Sequence, residues 1–126
     1  MVLNVTTRTK EKGIFTICPQ GSITANTFMV LAVEVDAILK QSPKLIIFDM
    51  KDVDYISSAG VTTVLEAEKS MKERGGRVLM VLLQPSVRKV FDLVQILPQQ
   101  RIFKSIEELD NYLMEIQREL KEEKSN

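Results

Sequence analysis

The chain has 126 residues, 44% apolar and 27% charged, which suits one globular domain with a single core and leaves no room for two. Its 17 basic residues balance 17 acidic ones, so it has no broad electrostatic footprint for nucleic acid or anionic lipid. It contains no histidine and one cysteine, which excludes Ser-His-Asp and Cys-His catalysis, imidazole metal sites, structural zinc and an internal disulfide.

Met1-Val2-Leu3-Asn4 lacks the basic and apolar regions of a signal peptide, and every apolar run is far shorter than the roughly 18 residues of a membrane span. The expectation is a cytoplasmic protein. Asn4 to Arg8 and Ile14 to Cys18 read as a hairpin joined by Lys10-Glu11-Lys12-Gly13, with Cys18 a buried structural thiol. Pro19, Gly21 and Ser22 are expected to break the second strand. Phe28, Leu31, Ala32, Val35, Ile38 and Leu39 recur at helical spacing, with Asn26 as N-cap and Ser42-Pro43 as the stop. Lys44 to Phe48 is a continuous apolar run bounded by charge, the mark of a central strand covered on both faces.

The segment Asp54-Tyr55-Ile56-Ser57-Ser58-Ala59-Gly60 follows that strand and its acidic end, Asp49-Met50-Lys51-Asp52. It reads as a strand-to-helix loop that delivers two serines to a helix start. The first N–H groups of a helix are unpaired and its dipole is positive there, so a phosphate added to either serine is stabilised locally and displayed to a partner. The plainer alternative is that one serine is an N-cap. Asp49, Asp52 and Asp54 are close in sequence, but such acidic trios are ordinarily solvated turn residues.

Val61, Val64, Leu65, Glu68 and Met71 continue a second helix that Gly75-Gly76 ends. Arg77 to Leu83 is a further buried strand. Pro85 opens a short helix through Val87, Val90, Phe91 and Val94, ended by Leu97-Pro98. Ile102-Phe103 suggests a short strand, and Ser105 with Glu108 forms a capping-box pattern ahead of a helix striped by Ile106, Leu109, Leu113, Ile116 and Leu120. Met29, Met50, Met71, Met80 and Met114 read as core filling, as do Phe28 and Phe91. Tyr55 could serve either core or surface.

Strands alternating with helices give an α/β fold: a mixed central sheet of about four to five strands with about four helices packed against it. One domain is expected over residues 1–120, with 121–126 a charged, fraying end. In such sheets the functional loops lie beyond the carboxyl ends of the strands. Gln20-Gly21-Ser22-Ile23-Thr24-Ala25 and the serine segment are expected side by side there, forming the candidate surface.

In the order and spacing of these pieces the chain resembles the STAS family, and within it the stand-alone bacterial anti-sigma factor antagonists. The resemblance runs from the Gly21 loop through Asp49, Asp54 to Gly60, Gly75-Gly76 and Pro85 to Asp92, and on to Ile102-Phe103 and the closing helix. It implies a protein without enzymatic activity or cofactor. The unmodified form would bind an anti-sigma factor, often a serine kinase of the GHKL ATPase type, and so release a sigma factor. The kinase would then phosphorylate the serine two residues before the loop glycine, and a metal-dependent serine phosphatase would reverse this. That serine is Ser58, with Ser57 the second choice. The implied partner-binding residues are Gly21, Ser22, Thr24, Asp54, Tyr55, Ser57, Ser58, Ala59 and Gly60; no nucleic acid or membrane is involved.

The chain departs from the family's pattern at two positions. Family members commonly carry an acid immediately before the phosphorylated serine, where this chain has Ser57, and often another where it has Thr24. A non-switched scaffold subunit of a larger signalling complex is the alternative function. Two further alternatives are a receiver domain with Asp49 as phospho-acceptor, which lacks the acidic pair it needs after the first strand, and a serine enzyme using Ser58, which lacks a base.

Overall fold

Residues 2–94 and 101–125 are described by the computed structural model. Two apolar runs make the middle of the sheet, strands β3 (Leu45–Asp49) and β5 (Arg77–Val81), which pair in parallel from Leu45↔Arg77 to Asp49↔Val81. Every residue of β3 is buried, because both faces of the sheet are covered. Ile46, Phe48, Val78 and Met80 face one core; Leu45, Ile47, Leu79 and Val81 face another.

Strands β1 (Asn4–Glu11) and β2 (Ile14–Ile23) form the hairpin, turning at Gly13 with φ 84°. Strand β2 lies parallel to β3, and β6 (Ile102–Phe103) parallel to β5, so the path is β1-β2-β3-β5-β6. Helices α1 (Phe28–Leu39), α2 (Ser58–Glu73) and α3 (Pro85–Val94) bury Leu31, Val35, Ile38, Val64, Ala67, Met71, Val87 and Phe91 in the larger core. Helix α4 (Ile106–Ser125) covers the other face through Leu109. Its start carries half of the expected capping box: the Glu108 N–H donates to Ser105 Oγ at 3.1 Å, whereas Glu108 Oε2 accepts the N–H of Lys104, one residue before the cap, at 3.0 Å.

Several details differ from expectation. A sixth strand, β4 (Val53–Ile56), occupies part of the segment expected to be loop. Its ends are buried and its middle, Asp54-Tyr55, is exposed, so it lacks the alternation that marks a half-buried strand. Pro19 and Gly21 do not end β2. The strand leaves β3 after Ile17↔Phe48 and takes up β4 at Gly21↔Val53, so Pro19 falls between two partners, where a missing amide is tolerated. Strand β5 ends at Val81, since Leu82 turns to φ 60°. The N-cap of α1 is Thr27, not Asn26. Met29 and Met114 are exposed, whereas Met50, Met71 and Met80 are buried as expected. The stop expected at Leu97-Pro98 lies outside the described residues.

Candidate functional site

Parallel pairing of β2 with β4 sets the site. Gly21↔Val53, Ser22↔Tyr55 and Ile23↔Ile56 are opposite one another, with a bulge between Gly21 and Ser22. Both strands therefore end at the same edge, and their following loops lie side by side. Three hydrogen bonds tie them: the Gly21 N–H to the Asp52 carbonyl at 3.0 Å, Ser22 Oγ–H to Asp54 Oδ1 at 2.7 Å, and the Ser57 N–H to the Ile23 carbonyl at 2.7 Å. Gly21 has φ 124°, and a Cβ there would sit 2.8 Å from the Val2 carbonyl oxygen, so the bend needs glycine.

The two serines have different tasks. Ser57 is extended (φ −86°, ψ 170°) and is the N-cap of α2; its Oγ accepts the Gly60 N–H at 3.3 Å and its carbonyl accepts the Val61 N–H at 2.9 Å. Ser58 is the first residue of the helix. Its side chain is exposed, and its hydroxyl has no hydrogen-bond partner among the described residues. The first turn of α2 holds no acidic residue to neutralise the dipole there.

At both positions where the resemblance implies an acid, Thr24 and Ser57, this chain makes a local hydrogen bond to the backbone through an uncharged side chain. Serine and aspartate are about equally good N-caps, so Ser57 keeps the cap without a carboxylate. Thr24 closes the other loop as a short acid would: its Oγ1 accepts the Asn26 N–H at 3.1 Å. Thr27 locks that turn, accepting the Thr24 N–H at 2.8 Å and donating to the Ser22 carbonyl at 2.8 Å.

Of the nine residues singled out by sequence, Ser22, Thr24, Asp54, Tyr55, Ser57, Ser58 and Ala59 present at least part of their side chains at this edge. Gly60 lies beneath it, buried against Ile23 and Ile56. Sequence reasoning missed a third contributor, the turn after β5 together with the start of α3. Gln84 Nε2 donates to the Lys51 carbonyl at 2.9 Å and Ser86 Oγ to the Asp54 carbonyl at 3.4 Å. Side chains that brace a neighbouring loop's carbonyls leave no periodic signal in the sequence.

The acidic trio is dispersed. Asp49 is only 2% exposed, and its carboxylate takes Lys51 Nζ at 3.0 Å, the Lys51 N–H at 3.2 Å and the Arg8 guanidinium at 3.6 Å. It faces the α4 side of the sheet, beside a half-open cavity of about 340 Å³ that Arg8, Leu109 and Met114 also line. Among the described residues no group of His, Cys, Asp and Glu is arranged to hold a metal ion. Asp49's hydrogen bond and charge raise Lys51 above its usual 10.5. A cation raised in the folded state stabilises fully below its unfolded pKa, and that gain is lost as pH rises through the folded value. The stability gap between wild type and Asp49→Asn should therefore narrow as pH climbs past 10.5 in denaturant titrations. The narrowing should be small, because Lys51 is half exposed; a constant gap would mean that the ammonium contributes nothing.

A model of the STAS domain matches residues 6–109. BtrV of Bordetella bronchiseptica, which is named as an anti-sigma factor antagonist, is 31% identical over 87 residues, covering 69% of this chain and 75% of BtrV. The solved structure of the anti-sigma factor antagonist SpoIIAA in its unphosphorylated form superposes with a TM-score of 0.75 at 18% identity, covering 88% of this chain and 96% of SpoIIAA. The Bacillus protein in its phosphorylated form gives 0.71 at 18% identity, with 87% and 99% covered. At that identity these two likenesses are of fold. Among the described residues no helix is long and apolar enough to cross a membrane. The family model and the relative together decide the matter: the chain belongs to the STAS domain family, on the branch of the anti-sigma factor antagonists.

Proposed function

We propose that the unmodified protein binds an anti-sigma factor through the edge formed by Gly21 to Thr24 and Asp54 to Gly60, freeing a sigma factor, and that phosphorylation of Ser58 ends the association. In this reading the partner is a serine kinase of the GHKL type, and a metal-dependent serine phosphatase resets the switch. The protein is a binding module with no chemical step of its own.

The observation that carries this reading is the division of labour between the serines. Ser57 spends its oxygen on the helix, while Ser58 leaves an exposed, unengaged hydroxyl at the first helical position. A phosphate on Ser58 would add about −1.5 to −2 charges. Within this protein the α2 dipole and the absence of a first-turn acid soften that addition, so the fold need not change. That both forms of SpoIIAA match this fold supports a switch acting at the surface. Inside a closed interface the same charge must be desolvated or repelled.

Calorimetric titration with the purified anti-sigma factor tests the reading. Ser58→Asp should bind at least about a hundredfold more weakly than wild type, roughly 2.8 kcal/mol, and Ser58→Ala should bind as wild type does. Equal affinity for Ser58→Asp and wild type would transfer the function to the unswitched scaffold.

A further inference from the structure

Helix α1 is apolar on the side it shows to solvent as well as on the side it buries. Leu31, Val35 and Ile38 face the core, yet Met29, Val30 and Val33 are 55%, 45% and 60% exposed. A surface helix ordinarily puts polar residues there. Positions 29 and 33 are one turn apart and position 30 lies beside them, so the three side chains make one patch. Asp36 and Lys40 are exposed farther along, which confines the patch to the first two turns. Contiguous exposed apolar surface of this kind is a candidate interaction site.

The patch lies close to the serine edge along the chain. Helix α1 springs directly from the Ser22–Thr24 turn, where the Phe28 N–H donates to the Thr24 carbonyl at 2.9 Å. Helices α1 and α2 pack together, and their far ends are joined by the Arg74 guanidinium donating to the Leu39 carbonyl at 2.7 Å. They thus run side by side in the same sense, with both N-terminal turns at the edge that carries Ser58.

We propose that Met29, Val30 and Val33 form the second half of the partner-binding surface, so that the anti-sigma factor engaging the serine edge also lays an apolar surface across the first two turns of α1. This rests on the function proposed above. The two halves have different chemistry. The serine edge is polar and can be switched by a phosphate, whereas the α1 patch carries no hydroxyl and no charge. Its contribution to binding is therefore constant across modification states and insensitive to ionic strength.

The test titrates the purified anti-sigma factor against wild type, Val33→Asp, Val33→Thr and Ser58→Asp, with sedimentation of each variant alone. Val33→Asp should weaken binding at least tenfold with an unchanged denaturation midpoint. The near-isosteric Val33→Thr should weaken it about threefold, by the same factor at low and high salt, and keeps the test open should the aspartate perturb folding. If both Val33 variants bind as wild type while Ser58→Asp does not, the α1 proposal is overturned and the switch stands. If wild type itself does not bind, the underlying function fails instead. A wild-type dimer that Val33→Thr converts to monomer with unchanged partner affinity would assign the patch to a second copy of this chain and overturn the proposal.

Discussion

Gly60→Val should cost about 3 kcal/mol of stability and abolish partner binding. A Cβ at Gly60 would lie 2.6 Å from Ile23 Cγ2 and 2.7 Å from Ile56 Cγ1, distances at which something has to move. Those isoleucines are the last residues of β2 and β4, so the first turn of α2 is seated directly on the two strand ends that define the site. Overpacking typically costs about 1–3 kcal/mol, and valine adds two further methyl groups to a buried position. Alanine gains about 1 kcal/mol of helix propensity over glycine and should still be net destabilising here. Relief of the clash would lift the α2 start and carry Ser57 and Ser58 away from the Ile23 carbonyl. A Gly60→Val protein with a wild-type denaturation midpoint would show that the helix start yields freely and that the glycine is incidental.

Phe48→Ala should be more damaging, at about 3–5 kcal/mol. Phe48 is fully buried at the middle of the sheet, flanked in register by Ile17 on β2 and Met80 on β5, on the face covered by α1, α2 and α3. Neighbouring strands hold the backbone, so the hole cannot collapse and the full cavity term applies. Against a total stability of about 5–15 kcal/mol, the variant should lose its cooperative transition at moderate temperature. Denaturant unfolding of the purified variant checks this; a loss below about 1 kcal/mol would mean that the three-helix face repacks.

Much of this architecture is legible in the amino-acid order. Continuous apolar runs at Leu45–Phe48 and Val78–Val81 mark strands buried on both faces, and both are found at the centre of the sheet. Ser105 with Glu108 and the Gly75 turn mark helix ends through local chemistry that tertiary packing has no reason to override. What the sequence hides is non-local. Strand β4 is four residues long with an exposed middle, and it exists only because the far half of β2 offers it a partner. Pro19 and Gly21 read as breakers because their tolerance depends on β2 changing neighbours between them. Met29 fits an apolar helix in sequence; its exposure follows from which side of α1 meets the sheet. At the site, the sequence marks both loops but not which serine caps the helix, since either residue type and spacing would serve. Backbone geometry decides it, with Ser57 extended and Ser58 already helical.

The hydroxyl cap at Ser57 bears on how much information the loop can transmit. A carboxylate there would give the helix start a standing negative charge, and any later phosphate would raise an existing signal by a fraction. With serine capping α2, the baseline at that point is silent, and a phosphate on Ser58 would supply its entire negative charge. A partner reading this helix start would then discriminate between nothing and a dianion. On the switch reading, the contrast between the two states would be widened by an uncharged cap at the helix start in the resting one.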